Sequence, residues 1–357
     1  MSDRSDIAGT NPIHWDFPRR INSIQIMVEV GMRHGMTREA LLTESGIAAE
    51  SLENALIEVE ASQELRVIRN LQEGCSHVPG IGLEVGLQCH ATAFDELGYA
   101  FISGETLRDT FNLALRFRSL LFFFVEMSTV RSGDRFKLRF DDSGVPADVR
   151  QFLLERDMTA TCMILRDIFP SNPPPLLEVN LTCASPPYAE QFECIAGIAP
   201  RFEQEENSVA MPASFLDARP TQANSVTVRM CVALCEMRLE QRNTRPGTAT
   251  RVRAHLFASG GAFADMEQIA TELDMTSRTL RRHLQEEGTS FRTVLDEVRE
   301  VMADELFSRT DMTVEEVADR LGFSESSSFI SAFKRWKGVS PRKFHRVGRL
   351  SGRREQG

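Results

Sequence analysis

One short pattern occurs twice near the end of this chain. Ile269-Ala270, Leu273, Met275 and Thr276 return forty-eight residues later as Val317-Ala318, Leu321, Phe323 and Ser324. Each copy reads as a short helix with a small buried alanine, a turn of three to four residues, and a hydroxyl placed to cap a second helix. That second helix carries two apolar residues four apart, Leu280 and Leu284 in the first copy, Phe329 and Phe333 in the second. The second copy slips by one residue after its turn. A helix-turn-helix unit has this layout, and its repetition at a fixed separation confines the region to an all-α fold. At the turn, Gly322 can take the left-handed backbone without a Cβ penalty, and its counterpart Asp274 tolerates it at modest cost.

At ~100° per residue, a helical wheel separates the core side of each second helix from its free side. With Leu280 and Leu284 inside, Arg278 and Arg282 point away, Thr279 and Gln285 flank them, and Arg281 lies to one side, better placed for a phosphate than for a base. Two arginines four apart on an exposed stripe suit bidentate readout of guanine, worth ~1–3 kcal/mol per good contact. In the second copy Phe329, Phe333 and Trp336 are inside. Ser326, Ser327, Ser331, Lys334 and Arg335 are the outward candidates, a set that reads less base sequence and more backbone. Between the copies, "FRTVLDEVREVMADELFSR" places Phe291, Leu295, Val298, Met302 and Leu306 on one stripe, with Arg299 and Glu300 on other faces. Eighteen such residues make a rod of ~27 Å, on the scale of one ~34 Å turn of DNA.

Charge divides the chain in the same place. The whole carries −10, yet from Arg251 onward 18 Lys and Arg stand against 17 Asp and Glu, and after Ser331 nine against one. An acidic bulk with a basic end implies that only the end meets a polyanion.

The first 220 residues read differently. "INSIQIMVEVGMRHG" spaces Ile21, Ile24, Met27, Val28 and Met32 as a helix ending near Gly35. Thr37 and Thr106 are candidate N-caps of the next helices. "RFKLRF" alternates strictly after the turn "RSGD", so two strands pair around Ser132-Gly133. A helix over 149–168 ends at "NPPP". "LLEVNLTC" reads as a strand, 187–195 as a short helix, and "RFEQEENSVAMP" as another hairpin. The pattern is an α+β domain over 20–220, able to enclose an apolar cavity. Residues 221–249 supply a helix and a linker, "NTRPGTATR", and 250–347 the all-α region. The helix over 225–242 carries a stripe of Val226, Met230, Ala233, Leu234 and Met237. That stripe either covers its own domain, the expected arrangement, or meets a second copy of the chain.

Other classes find little footing. The opening residues lack the apolar core of a secretory signal, and the longest apolar run, "LLFFFVEM", is far short of the ~20 residues of a membrane helix. The expectation is a cytoplasmic protein with no membrane partner. Seven cysteines stand without a CxxC pair; Cys231 and Cys235, four apart, pack as small apolar residues. No metal or other cofactor is expected. Gly80, Gly82 and Gly86 do not make a dinucleotide fingerprint, and no GxSxG, HExxH or P-loop occurs, so no catalytic residues are assigned and the chain is not expected to be an enzyme.

Residues 250–346 resemble the AraC-type family of bacterial transcription regulators, most closely along "VADRLGFSESSSFISAFKRWKGVSPRKFHR", with Gly338, Pro341 and Phe344. "PGIGLEVG", "DELGYAFISGETLRDTFNLALRFRSLL" and "FLDARP" resemble the arabinose-binding-like sensing domain of one subgroup. The resemblance implies that both recognition helices enter successive major grooves of double-stranded DNA, through Arg278 and Arg282, then Ser327 and Ser331. It also implies a small-molecule effector in the first domain, a possible homodimer, contact with RNA polymerase, and activation as the sign of regulation. Two alternatives remain: control of the first domain by protein contact, and an enzyme fused to a DNA-binding domain. The second would need the reactive Pro-Cys-His of the alkyl-transfer repair proteins, which this sequence lacks.

Overall fold

The computed structural model describes residues 15–243, 247–258, 265–287, 289–309, 312–337 and 339–344. They form two units, a larger one from Trp15–Val145 and Val149–Pro246 and a smaller one from Gly247 onward.

The larger unit begins with the two-residue strand β1 (Arg19–Arg20), then helices α1 (Asn22–Arg33) and α2 (Arg38–Leu42). Strand β2 (Glu58–Val59) pairs with β1, and α3 (Ala61–Gly74), α4 (Ile81–Leu87), α5 (Asp95–Ser103) and α6 (Leu107–Arg116) follow. The expected caps are in place: Thr37 Oγ1 accepts from the Ala40 N–H and Thr106 Oγ1 from the Asp109 N–H, each at 3.2 Å. Ile24, Met27 and Val28 are buried on α1, but Met32 is 47% exposed, because the apolar stripe turns away from the core in the last turn.

A four-stranded antiparallel sheet comes next, in the order β3-β4-β6-β5: β3 (Glu126–Ser132), β4 (Arg135–Asp141), β5 (Glu178–Asn180) and β6 (Asn207–Pro212). The β3–β4 hairpin closes at Gly133, whose φ is +59°. The expected hairpin over 201–212 does not form. Only β6 is a strand there, and it inserts between β4 and β5, both distant in sequence. The "LLEVNLTC" strand shortens to three residues for the same reason: β5 pairs only where β6 runs beside it. Helix α7 (Arg150–Ile168) lies between β4 and β5, and α8 (Ala189–Ala196) between β5 and β6. The glycines of "PGIGLEVG" pack helices. A methyl on Gly82 would sit 2.7 Å from the Phe152 carbonyl oxygen, and one on Gly86 2.7 Å from that of Arg156, both on α7.

Behind this contact lies a buried ionic cluster. Arg156 donates to Glu64 (2.7 Å) and Asp157 (2.8 Å), and Arg19 donates to Glu64 (3.3 Å), with all four side chains fully enclosed. Two positive and two negative charges cancel, and every one has a partner, which makes their burial tolerable. The cluster also grips the chain between α6 and β3. Phe122 C=O accepts from both guanidiniums, and Asp157 accepts from the N–H groups of Phe124 and Val125.

Helix α9 (Ser225–Asn243) closes this unit, and here an expectation fails. The stripe of Val226, Met230, Leu234 and Met237 does not cover its own domain; these residues are 47–64% exposed. The helix packs on α5 through the opposite face, with Cys231 and Cys235 buried and Arg238 donating to Glu58, Asp95 and Glu96. Burial pushes the Cys235 thiol up to about 12, so it is a packing group.

The smaller unit is all helix: α10 (Thr248–Ala258), α11 (Met266–Glu272), α12 (Ser277–Glu286), α13 (Phe291–Arg309), α14 (Val314–Arg320) and α15 (Ser326–Lys337). It has two cores. The first gathers Val252 and Leu256 of α10, Ile269 and Ala270, Leu280 and Leu284, and Val294 and Val298. The second gathers Ala303 and Phe307, Val317 and Ala318, and Phe329, Phe333 and Trp336. One helix, α13, therefore threads both. Its deepest line is Val294, Val298, Ala303 and Phe307, a part-turn away from the expected stripe, of which Phe291, Leu295, Met302 and Leu306 are only half-buried. The linker is also shorter than read, since α10 starts at Thr248.

Candidate functional site

Both turns have the backbone the sequence called for: Asp274 has φ +57° and Gly322 φ +70°. Capping boxes start the first helix of each pair, Asp265 with Gln268 on α11 and Thr313 with Glu316 on α14. Thr276 Oγ1 accepts from the Thr279 N–H (3.2 Å) and so starts α12. Ser324 does not play that part for α15. The one-residue slip puts Glu325 immediately before the helix, where its carbonyl accepts from the N–H groups of Ser328 and Phe329.

On α12, Leu280 and Leu284 are fully buried, while Arg278, Arg281, Arg282 and Gln285 are exposed and Thr279 is half-buried. Among the described residues Arg278 and Arg281 have no ion-pair partner, and Arg282 lies 3.5 Å from Glu286, one turn on. Such an exposed pair contributes only ~0.3–0.5 kcal/mol and yields readily to a phosphate or a base. On α15, Phe329 and Phe333 are fully buried, Ser327, Ser331, Lys334 and Arg335 are exposed, and Ser326 is half-buried. Ser331 Oγ donates to the Ser327 carbonyl (3.0 Å), Ser327 Oγ to Glu325 (3.0 Å), and Arg335 to Asp296 of α13 (2.9 Å). The second face thus offers engaged hydroxyls, the tethered Arg335 and the exposed Lys334; the first offers three exposed guanidiniums, of which only Arg282 has an ion-pair partner among the described residues, Glu286. Gly338 and the basic tail beyond Phe344 lie outside the described residues.

Several residues outside the expected DNA-facing sets hold these helices in place. The Glu287 carboxylate, just after α12, accepts from the N–H groups of Thr248 and Ala249 (2.7 Å each) and so caps α10. Arg253, fully buried on α10, pairs with Glu297 on α13 (2.7 Å). Arg299 donates to the carbonyls of Leu321 and Gly322 (2.9 and 3.2 Å) and lies over the Phe323 ring, bracing the second turn. Glu300 is buried against Lys337 of α15 (2.9 Å), not on a free face. Only the capping boxes had a local signal; the other pairings span 22 to 44 residues.

Paired helix-turn-helix units with basic second helices on a shared rod define a DNA-binding regulator. Residues 35–220 match the family model described as the arabinose-binding domain of AraC transcription regulator, N-terminal, and residues 269–346 match a helix-turn-helix domain model. This chain belongs to the AraC family of DNA-binding transcription regulators. It is similar to an uncharacterised HTH-type transcriptional regulator of Mycobacterium tuberculosis, 32% identical over 92% of this chain and 96% of that protein. It is also similar to the ornithine utilization regulator of Pseudomonas aeruginosa, 30% identical over 89% and 93%. The crystal structure of the transcriptional regulator CdpR from P. aeruginosa matches at 26% identity over 74% of this chain and 86% of that one, with a TM-score of 0.38. Among the described residues no helix is long and apolar enough to cross a membrane.

Proposed function

We propose that this regulator reads sequence chiefly through α12 and holds the backbone chiefly through α15. Arg278 and Arg282 contact base edges with Thr279 and Gln285 beside them; Arg281, Ser326, Ser327, Ser331, Lys334 and Arg335 contact phosphates or read weakly. The observation that carries this is the division of α12 into a fully buried leucine edge and an exposed edge of arginines, of which, among the described residues, only Arg282 is held, by an exposed pair with Glu286. We further propose that residues 20–220 sense a small molecule and 221–249 form the connecting segment. Residues 250–347 bind DNA, in a cytoplasmic, non-enzymatic homodimer that activates transcription by contacting RNA polymerase. The match of residues 35–220 to a sensing-domain model supports the effector, and the activator names among the relatives support the sign.

Arg282→Ala should weaken operator binding by ~1–3 kcal/mol and relax preference at one base pair. Ser331→Ala, whose hydroxyl is spent within its helix, should cost less. Selection of bound fragments from random DNA, with affinities at two salt concentrations, checks both. Uniform weakening on all sequences would assign Arg282 to a phosphate instead.

A further inference from the structure

The larger unit holds an apolar pocket, partly open to solvent, between α5, α6, α7 and the sheet. Phe101, Phe111, Phe123, Leu138, Ile164 and Leu165 line it, all of them buried. Two threonines are the polar members of the wall, and both hydroxyls are occupied: Thr110 donates to the Phe101 carbonyl (3.3 Å) and Thr161 to that of Asp157 (2.9 Å). None of the buried side-chain polar atoms without a partner, among the described residues, faces it. The solvent-reached members, Ala114, Leu115 and Met127, are apolar as well.

The cavity is also held open. Leu121 and Phe123 contribute to its wall, and the residues alternating with them are pinned from behind. Phe122 C=O takes both buried guanidiniums, and the Phe124 and Val125 N–H groups bond to Asp157. A wall fixed by four hydrogen bonds into a neutral ionic cluster cannot easily fold inward to fill the space. A pre-formed room with apolar walls and no free polar group selects its guest by chemistry. A sugar or an amino acid would lose its water and find no partner inside. A hydrocarbon chain loses only unfavourable contact with water.

We propose that the effector site of this chain is this cavity, and that its ligand is an aliphatic molecule. An acyl or alkyl chain enters between Ala114, Leu115 and Met127, and its polar end stays in solvent at the mouth. This rests on the reading of the first domain as a sensor and names the class of molecule it senses, one unlike the sugar in the family model's description.

Thermal unfolding of the full chain tests it, with octanoate, decanoate and dodecanoate below their micellar concentrations as probes. L-arabinose and a panel of amino acids and hydroxy acids serve as polar probes. At a hundredfold excess over Kd the matching chain length should raise the midpoint of the larger unit by about 5–10 °C. Ala114→Phe, at the mouth, should abolish the shift while leaving the unliganded midpoint and the circular dichroism unchanged. Leu115→Phe takes its place if that variant does not fold. Thr161→Val should keep the shift, since its hydroxyl is already spent. A shift that survives both mouth substitutions would mean adsorption elsewhere and overturn the proposal. So would stabilisation by a polar probe with none by the aliphatic series, an outcome that leaves the sensor reading standing. If no probe of either kind shifts the midpoint, both readings fall together.

Discussion

Two individual residues show how much one side chain can decide. Asp274 sits at a left-handed turn that costs a non-glycine residue roughly 1–2 kcal/mol, where its counterpart Gly322 pays nothing. After allowing for the extra freedom of glycine in the unfolded chain, Asp274→Gly should stabilise the smaller unit by about 0.5–1 kcal/mol. Urea midpoints would record the gain, and a loss would mean that the aspartate side chain supports the turn. Glu155 is the second case. It is buried on α7, accepting from Tyr188 Oη (2.7 Å) and Gln151 Nε2 (3.0 Å), and its pKa is raised, foremost by burial, despite those two donors. The folded state therefore holds this proton more tightly than the unfolded chain does. Its contribution is complete below the ordinary glutamate pKa and is lost as pH rises through the elevated folded value. Glu155→Gln should accordingly gain on the natural protein as the pH is taken from about 5 to about 7.5, measured by thermal midpoints. A difference that stays flat across that range would refute the assignment.

At the level of elements, legibility followed locality. The two helix-turn-helix units could be read because each signal, a capping residue, a left-handed turn or a pair of apolar residues four apart, lies within about twenty residues. The β3–β4 hairpin was equally plain, since its strands flank their own turn. What the sequence hid is non-local. Nothing in "RFEQEENSVAMP" says that its last six residues insert between β4 and β5, so a hairpin was read where a central strand exists. Nothing near Arg19 or Arg156 announces that they meet over Glu64, 45 and 92 residues away. The outward set on α12 and α15 was legible from the wheel alone, whereas the ties at Ser331 and Arg335 needed coordinates. One such hidden tie has a practical consequence. Because Glu287 caps α10 at Thr248 and Ala249, and Ala249 is fully buried, a DNA-binding fragment begun at residue 251 removes both the cap and a core residue. It should be less stable than a fragment begun at residue 244 by at least the ~0.5–2 kcal/mol of a lost cap. Chemical denaturation of the two fragments would measure this, and equal stabilities would deny the Glu287 contact any weight.

At the scale of the whole molecule, the unresolved demand is on α9. Single exposed apolar side chains are ordinary, but Val226, Met230, Leu234 and Met237 form one continuous edge at helical spacing, each about half exposed. The helix beneath them is rigidly seated: Arg238 and Arg242 both bond to Glu58, and Arg242 also donates to the Ser119 carbonyl (2.6 Å). A fixed helix with a bare apolar edge suits a two-fold contact in which the same residues of two copies meet. Its position, one short linker before the DNA-binding unit, would bring two such units to neighbouring half-sites, with affinity gained through effective concentration. Met230→Asp with Leu234→Asp should then yield a folded monomer, since neither residue supports its own domain. It should bind a single half-site as before and lose the added affinity for paired sites. Sedimentation together with far-UV circular dichroism reads the first outcome, and titration of one-site and two-site DNA reads the second. A variant that stays dimeric would place the contact elsewhere, and a natural protein that sediments as a monomer at micromolar concentration would refute the dimer itself.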